Sequence, residues 1–104
     1  MTLAGEELAR ALRGCFIGFA GAVRVEEEVS RRWASVTFSG ERHRLRLSLG
    51  GAQAAIAADA FLDGLAEREF ELRGHILADI ALVEDKRDAV SVRLTLEALT
   101  VEAS

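Results

Sequence analysis

Apolar and polar positions change their period several times along the chain, and each change predicts a new element. Near the amino terminus Leu8 and Leu12 lie about one helical turn apart, and alanines complete the same apolar face. Thr2 is a suitable N-cap residue, and Gly14 is of the type that commonly follows the end of a helix. We therefore predict a first helix over 2–13.

The segment after this helix alternates with the period of a β-strand. Apolar or small residues at odd positions from Ile17 to Val25 alternate with small or charged residues, which predicts a first strand beginning at Cys15. The acidic run 26–28 is expected to end this strand, and 30–32 is predicted to be a turn.

Two further strands are predicted before the next helix. Alternation over 33–38 predicts the second strand, and the tripeptide 39–41 predicts a tight turn after it. The third predicted strand covers 42–49, where leucines at every second position alternate with arginines and a serine. We expect its leucines to face the core and its arginines to face solvent.

An alanine-rich segment predicts the second helix. It extends over 52–65, where Ile56, Phe61 and several alanines share a broad apolar face. Alanine has the highest helix propensity, and its small side chain lets a helix lie close to a sheet. The helix is expected to end around 64–68.

The last third of the chain predicts a β-hairpin. Residues 70–82 and 90–96 alternate between apolar and polar positions, and the charged segment 84–88 separates them. The pattern is too regular for a helix. We therefore predict two long antiparallel strands joined by a charged turn.

A turn centred on Lys86 gives this hairpin a definite register. It sets apolar residues opposite apolar residues, and His75 opposite Glu97 on the other face. After Ala98 the apolar phase reverses, and one extra residue in that strand restores the match. We predict a β-bulge near Ala98.

The predicted order is α-β-β-β-α-β-β, within a single domain over 1–104. Two helices on one face of a five-stranded, mainly antiparallel sheet form a two-layer α+β sandwich. A 13-residue strand is about 43 Å long, whereas a folded chain of this size is only about 33 Å across. The hairpin therefore either bends sharply or projects and packs on a neighbour, which favours a homodimer.

Composition narrows the class of protein. The chain has 104 residues, a formal net charge of −4 and a pI near 5.2, which argues against nucleic acid as a partner. Its longest apolar run, 15–23, is far shorter than the roughly 20 residues of a membrane helix. The amino terminus lacks the basic start of a signal peptide. These features predict a soluble, cytoplasmic protein with no membrane partner.

The chemistry of the chain offers little for catalysis or metal binding. Lys86 is the only lysine among 13 basic residues, a bias typical of a GC-rich bacterial genome. A single cysteine rules out an intramolecular disulfide framework, and one cysteine with two histidines argues against a four-ligand zinc site. We expect no cofactor. Cys15 follows a helix C-terminus, which favours a buried structural thiol over a nucleophile.

Some residues are candidates for a binding surface. Arginines on one face of a strand, a Gly-Gly pair before a helix and a histidine beside carboxylates are groups that can contact an anion or small ligand. The predicted ligand-binding residues are Arg44, Arg46, Gly50, Gly51, Arg73, His75 and Glu97. The predicted interface residues are Trp33, an aromatic type enriched in interface hot spots, and Leu77. No catalytic residue is predicted, and a solvated, mixed-charge surface remains an alternative for the arginines.

Two functions of different classes follow. The first is a small non-enzymatic protein-binding or self-assembling module that acts through a sheet face or edge, with itself or another protein as the partner. The alternative is a small-ligand or anion-binding domain with a site between sheet and helix. The long hairpin and the lack of a catalytic constellation favour the first.

Overall fold

A computed structural model describes residues 2–103 and shows an α+β fold with four strands. The strands form one antiparallel sheet in the order β1-β2-β4-β3. In chain order the elements are α1 (Leu3–Gly14), β1 (Ala22–Ala34), β2 (Ser39–Gly50), α2 (Ala54–Leu62), a 3₁₀ turn (Leu65–Glu67), β3 (His75–Arg87) and β4 (Ser91–Glu102). The predicted five-stranded sheet is wrong, and the order is α-β-β-α-β-β.

Both predicted helices form. The hydroxyl of Thr2 accepts a hydrogen bond of 3.0 Å from the backbone N–H of Gly5, which caps α1 as expected. Leu8 and Leu12 are fully buried beneath this helix. The second helix is shorter than predicted, because the chain turns at Gly64 in a left-handed conformation before the 3₁₀ turn.

The first two predicted strands are incorrect. The acidic run 26–28 and the predicted turn 30–32 both lie inside a single long strand, β1. Glu28 is an extra residue in the pairing of β1 with β2, since Glu27 pairs with Leu45 and Val29 pairs with Arg44. This β-bulge changes the phase of the side chains, so a continuous strand has the appearance of two separate strands in sequence.

The segment 15–21 is a turn-rich connection. The ring of Phe16 lies 6.3 Å from that of Phe19 and 5.2 Å from that of Phe61, measured between centroids. Phe16 and Phe19, three residues apart in this connection, thus pack on the core, although the sequence of the segment alternates as in a strand. Cys15 is exposed, so the prediction of a buried thiol is also wrong.

The third predicted strand is confirmed as β2. Its leucines Leu45, Leu47 and Leu49 are buried, whereas Arg42 and Arg44 are exposed on the opposite side. The strand begins earlier than expected, at Ser39, so the predicted turn over 39–41 is part of the strand. The reversal occurs over 35–38, where the backbone N–H of Ser35 donates to the carbonyl of Phe38.

The C-terminal hairpin is confirmed, but its register differs from the prediction. The turn lies at 88–90, and Ile80 pairs with Ala98. The bulges are in β3, at Ala78 and Val83, while β4 continues without interruption past Ala98. The apparent phase reversal arises because Thr100, a polar residue, occupies a fully buried core position.

The helices lie on one face of the sheet. The hydrophobic core fills the space between the helices and that face. Principal-axis extents of 47 × 23 × 22 Å show an elongated molecule. Residues 81–90 are all exposed. The end of the hairpin therefore projects, as one of the two expected arrangements requires; its packing on a neighbour stays a prediction.

Candidate functional site: the open face of the sheet

The face of the sheet that points away from α1 and α2 has no covering layer among the described residues. We call it the open face. Strand pairing arranges its side chains in rows across β1, β2, β4 and β3. The three rows at one end are Trp33, Gly40, Val101 and Ile76; then Arg31, Arg42, Leu99 and Asp79; then Val29, Arg44, Glu97 and Ala81.

This end of the open face is apolar. Ile76 is 59% exposed, and Trp33, Leu99 and Val101 are partly exposed. The adjoining turn adds Phe38, which is also exposed. An apolar cluster that includes a tryptophan and has a charged border is typical of a protein-binding surface.

The middle of the open face carries paired charges. Arg44 lies 3.0 Å from a carboxylate oxygen of Glu97, and Arg46 lies 2.7 Å from one of Glu28. These ion pairs bring together three of the predicted ligand-binding residues. They also partly neutralise the arginines, so the stripe is a mixed-charge surface and not a row of unpaired cations.

Both edges of the sheet carry features that oppose the addition of another strand. The edge strand β1 has its bulge at Glu28, and the edge strand β3 has bulges at Ala78 and Val83. β3 also ends in the charged sequence from Glu84 to Arg87. Bulges and charges at sheet edges are common means of preventing edge-to-edge pairing.

The predicted glycine pair lies at the opposite end of the sheet. Gly50 ends β2, and Gly51 has a φ of +127°, a conformation that favours glycine. The N–H of Gly51 donates to the carbonyl of Val90 at 2.8 Å. The pair therefore forms a strand-to-helix turn that also connects to the hairpin.

Arg73 and His75 lie in a third place, before and at the start of β3. The N–H of Arg73 donates to a carboxylate oxygen of Glu7 in α1, and Nδ1 of His75 is 3.0 Å from the carbonyl of Arg73. His75 pairs with Glu102 and not with Glu97 as expected. The structure thus separates the predicted ligand-binding residues into three locations.

The two predicted interface residues lie on opposite faces. Trp33 is on the open face, whereas Leu77 lies on the helix-covered face and packs against the core. The bulge at Ala78 is the reason, because it places Ile76 on the open face where simple alternation from Ile80 would have placed Leu77. Ile76 is therefore an open-face residue that the sequence pattern did not identify.

A buried polar network lies on the other side of the sheet, beneath α1. His43 is buried, and its Nδ1–H donates to a carboxylate oxygen of Glu27 at 2.7 Å. Its Nε2 is 2.8 Å from the hydroxyl of Thr100, which is fully buried. A carboxylate, an imidazole and a hydroxyl in line resemble a catalytic relay, but this hydroxyl is inaccessible to a substrate, so the arrangement is structural.

The network continues to the N-terminus of α1. Glu41 is buried, and its carboxylate accepts hydrogen bonds from the hydroxyls of Thr2 and Ser30. Buried carboxylates need such partners, because an unpaired buried charge is costly. Sequence analysis missed this network. Its signal was the position of His43 in phase with the buried leucines of β2.

Several surface carboxyl groups titrate below their ordinary range. The hydroxyl of Ser39 and the guanidinium of Arg32 hydrogen-bond to Glu102 and lower its pKa. The guanidinium of Arg10, with the N–H of Arg73, lowers the pKa of Glu7. Both carboxylates connect separate elements, and neither belongs to a cluster with a free nucleophile.

No protein-family model and no curated protein sequence matches this chain. Among residues 2–103 there is no group of three or more His, Cys, Asp or Glu residues placed to hold a metal ion. Within the same range, none of the helices is long and apolar enough to cross a membrane.

Proposed function

We propose that this protein is a self-assembling module that forms a homodimer through the open face of its sheet. The observation that supports the proposal is an uncovered β-face with an apolar end, formed by Trp33, Leu99, Val101 and Ile76. Antiparallel sheets with one solvated face are common, but a solvated face normally lacks such a cluster. Contact with a second copy removes these side chains from water.

The face is a better candidate than an edge. Each edge strand contains at least one bulge, and neither presents a long, regular row of free backbone groups. The two central strands, β2 and β4, pair without any bulge. The regular part of the sheet is therefore its centre, and its free surface is the open face.

The area of the open face sets an upper limit on the size of the contact. Four strands spaced about 4.8 Å apart and about 12 residues long give an area of roughly 750 Å². A standard protein interface buries about 800 Å² on each partner. The charged rows beside the apolar end supply the polar border that such interfaces usually have.

A small-ligand site is the second candidate, supported by a surface cavity of about 810 Å³ between α1, the segment 66–73 and the start of β3. Two arginines in its wall already have partners. Arg10 bonds to Glu7 and to the carbonyl of Glu71, and Arg68 bonds to backbone carbonyls. An increase of several degrees in melting temperature with phosphate, absent with chloride, would support this candidate.

The dimer is tested by replacing Trp33 with glutamate. At micromolar concentration, sedimentation equilibrium should give twice the chain mass of 11.3 kDa for the wild type and the single-chain mass for Trp33→Glu. A charge within an apolar contact would have to be desolvated, which accounts for the loss. Ile76→Glu, at a more exposed position, should have the same effect if Trp33→Glu impairs folding.

The matched control is Ile56→Glu. Ile56 is 66% exposed and lies on α2, on the opposite side of the sheet from the open face. This variant should remain dimeric. A monomeric wild type, or a dimer that is lost in Ile56→Glu and kept in Trp33→Glu, would refute assembly through the open face.

A further inference from the structure

We infer that the two copies are related by a two-fold axis parallel to the strands, so that Arg31 lies opposite Asp79 of the partner subunit. The inference rests on the proposed function and specifies its geometry. The axis lies midway between the two sheets and runs along the strands. Rotation about it sets each row of side chains over the same row of the partner subunit, with the order of the strands reversed. It sets β1 over the partner's β3 and β2 over the partner's β4.

The charges at the two ends of one row are complementary under that symmetry. Arg31 and Asp79 are at the two ends of the same cross-strand row, and both are exposed. Within residues 2–103 neither side chain has an ion-pair partner, whereas Arg44 and Arg46 in the next rows do. Arg42, between them in the row, has none either, and the axis sets it against Leu99 of the partner subunit. The two-fold axis places Arg31 and Asp79 each against the opposite charge, twice in one dimer.

The rows on either side are also complementary. In the first row Trp33 faces Ile76 of the partner subunit, which joins two apolar side chains. In the third row Arg44 faces Glu97 of the partner subunit, and Val29 faces Ala81 of the partner subunit. Electrostatic complementarity of this kind determines which orientation of two surfaces is preferred.

The other simple arrangement is unfavourable. A two-fold axis across the strands stacks every strand on its own copy. If it passed through the row of Arg31, it would set Arg31, Arg42 and Asp79 each against the same residue of the other chain. Like charges placed directly opposite each other cost several kcal/mol, so the axis along the strands is preferred.

The charges at the far end of the open face indicate which rows form the centre of the contact. The axis along the strands would set Glu26 near Glu84 of the partner subunit in the fourth row and Arg24 near Lys86 of the partner subunit in the fifth, two pairs of like charge. Two aligned sheets cross at about −30°. A row that lies about 20 Å from the centre of the contact is therefore displaced sideways by about 10 Å, which is about two strand spacings. The paired rows are therefore those near Trp33, and the far rows move out of register.

The test uses charge reversal in two separate chains. Arg31→Asp alone and Asp79→Arg alone each place like charges opposite each other, so each should dimerise about 10- to 100-fold more weakly than the wild type. An equimolar mixture of the two variants restores both ion pairs, because each variant supplies what the other lacks. Mixing should produce a heterodimer with near wild-type affinity.

Arg93→Asp is the control, since Arg93 lies on the open face in a far row; this variant should dimerise like the wild type. Single variants that dimerise normally, or a mixture that stays monomeric, would overturn the inferred axis. If Trp33→Glu still dissociates the dimer in that case, assembly through the open face stands and only its geometry fails. A monomeric wild type removes both.

Discussion

Glu26, Glu27 and Glu28 are adjacent in sequence and have three different environments. Glu26 is on the open face, and Glu27 is largely buried against His43. Glu28 is the bulge residue, and its carboxylate forms an ion pair with Arg46. Three consecutive acids suggest the end of a strand, and the sequence analysis ended the first predicted strand at them. Because of the bulge, Glu26 and Glu28 lie on the surface, whereas the side chain of Glu27 lies in the core.

Gly5 is the residue of α1 that accommodates this buried glutamate. A Cβ at position 5 would meet the carboxylate of Glu27, which is held by its hydrogen bond to His43. Gly5→Ala should therefore lower the free energy of unfolding by about 1–3 kcal/mol, the cost of disturbing a buried hydrogen bond. Chemical denaturation measures the change.

The control for this substitution is Gly14→Ala at the other end of the same helix. A Cβ there has no neighbour within 4 Å, and alanine has the better helix propensity. Its free energy of unfolding should be unchanged or higher. Equal effects of the two substitutions would show that the contact with Glu27 contributes nothing.

Thr100 gives a second prediction at this scale. Thr100→Val keeps the shape of the side chain but leaves Nε2 of His43 without its hydroxyl partner in a buried site. We expect a loss of about 1–3 kcal/mol in the free energy of unfolding. Thr100→Ser, which keeps the hydroxyl, should lose less; a valine variant as stable as the wild type would contradict the role given to the network.

The sequence predicts some elements well and others poorly, and the bulges of the edge strands explain part of this division. The central strand β4 is also misinterpreted near Ala98, because Thr100 lies in the core. The central strand β2 is correctly predicted, and the helices are predicted within a few residues, because their apolar periods are uninterrupted. The edge strands β1 and β3 are placed wrongly, because each bulge shifts the alternation by one residue. Bulges accumulate at edges, where a lost ladder bond disrupts only one neighbour.

The register of the hairpin shows the same limitation. Leucines, isoleucines and valines at alternate positions match one another in several registers that differ by two residues. The turn decides among them. Asp88, which the sequence analysis included in a broad charged turn, accepts hydrogen bonds from the N–H of Val90 and the hydroxyl of Ser91.

This turn makes the stability of the hairpin depend on pH. The N–H of Val90 and the hydroxyl of Ser91 lower the pKa of Asp88 below its ordinary value. The stabilisation is present above the ordinary pKa and is lost as the pH falls through the lowered pKa of the folded state. Asp88→Ala should therefore melt below the wild type at neutral pH and level with it in strong acid.

Thermal unfolding at a series of pH values measures this difference. The matched control is Thr37→Ala, because Thr37 is exposed in the turn over 35–38 and has no ionisable group. Its difference from the wild type should not change with pH. A difference for Asp88→Ala that persists unchanged into acid would rule out the carboxylate as its source.

At the scale of the whole molecule, the fold is a sheet with one covered face and one open face. The sequence correctly indicates the α+β class, the position of the helices and the location of arginines on a solvent-facing side of β2. It does not locate the apolar end of that side. Ile76 and Trp33 belong to edge strands, and the face of the sheet on which their side chains lie depends on the bulges. The buried network also required the structure, since its members come from α1 and three strands.

The sheet edges limit how large an assembly can become. Once two open faces have met, the bulged and charged borders of β1 and β3 leave no regular strand for a third copy to extend. The molecular weight should then rise to a plateau and stay there on further concentration, instead of growing into fibres. The irregular edge strands that obscure the fold in the sequence should thus end the proposed assembly at two chains.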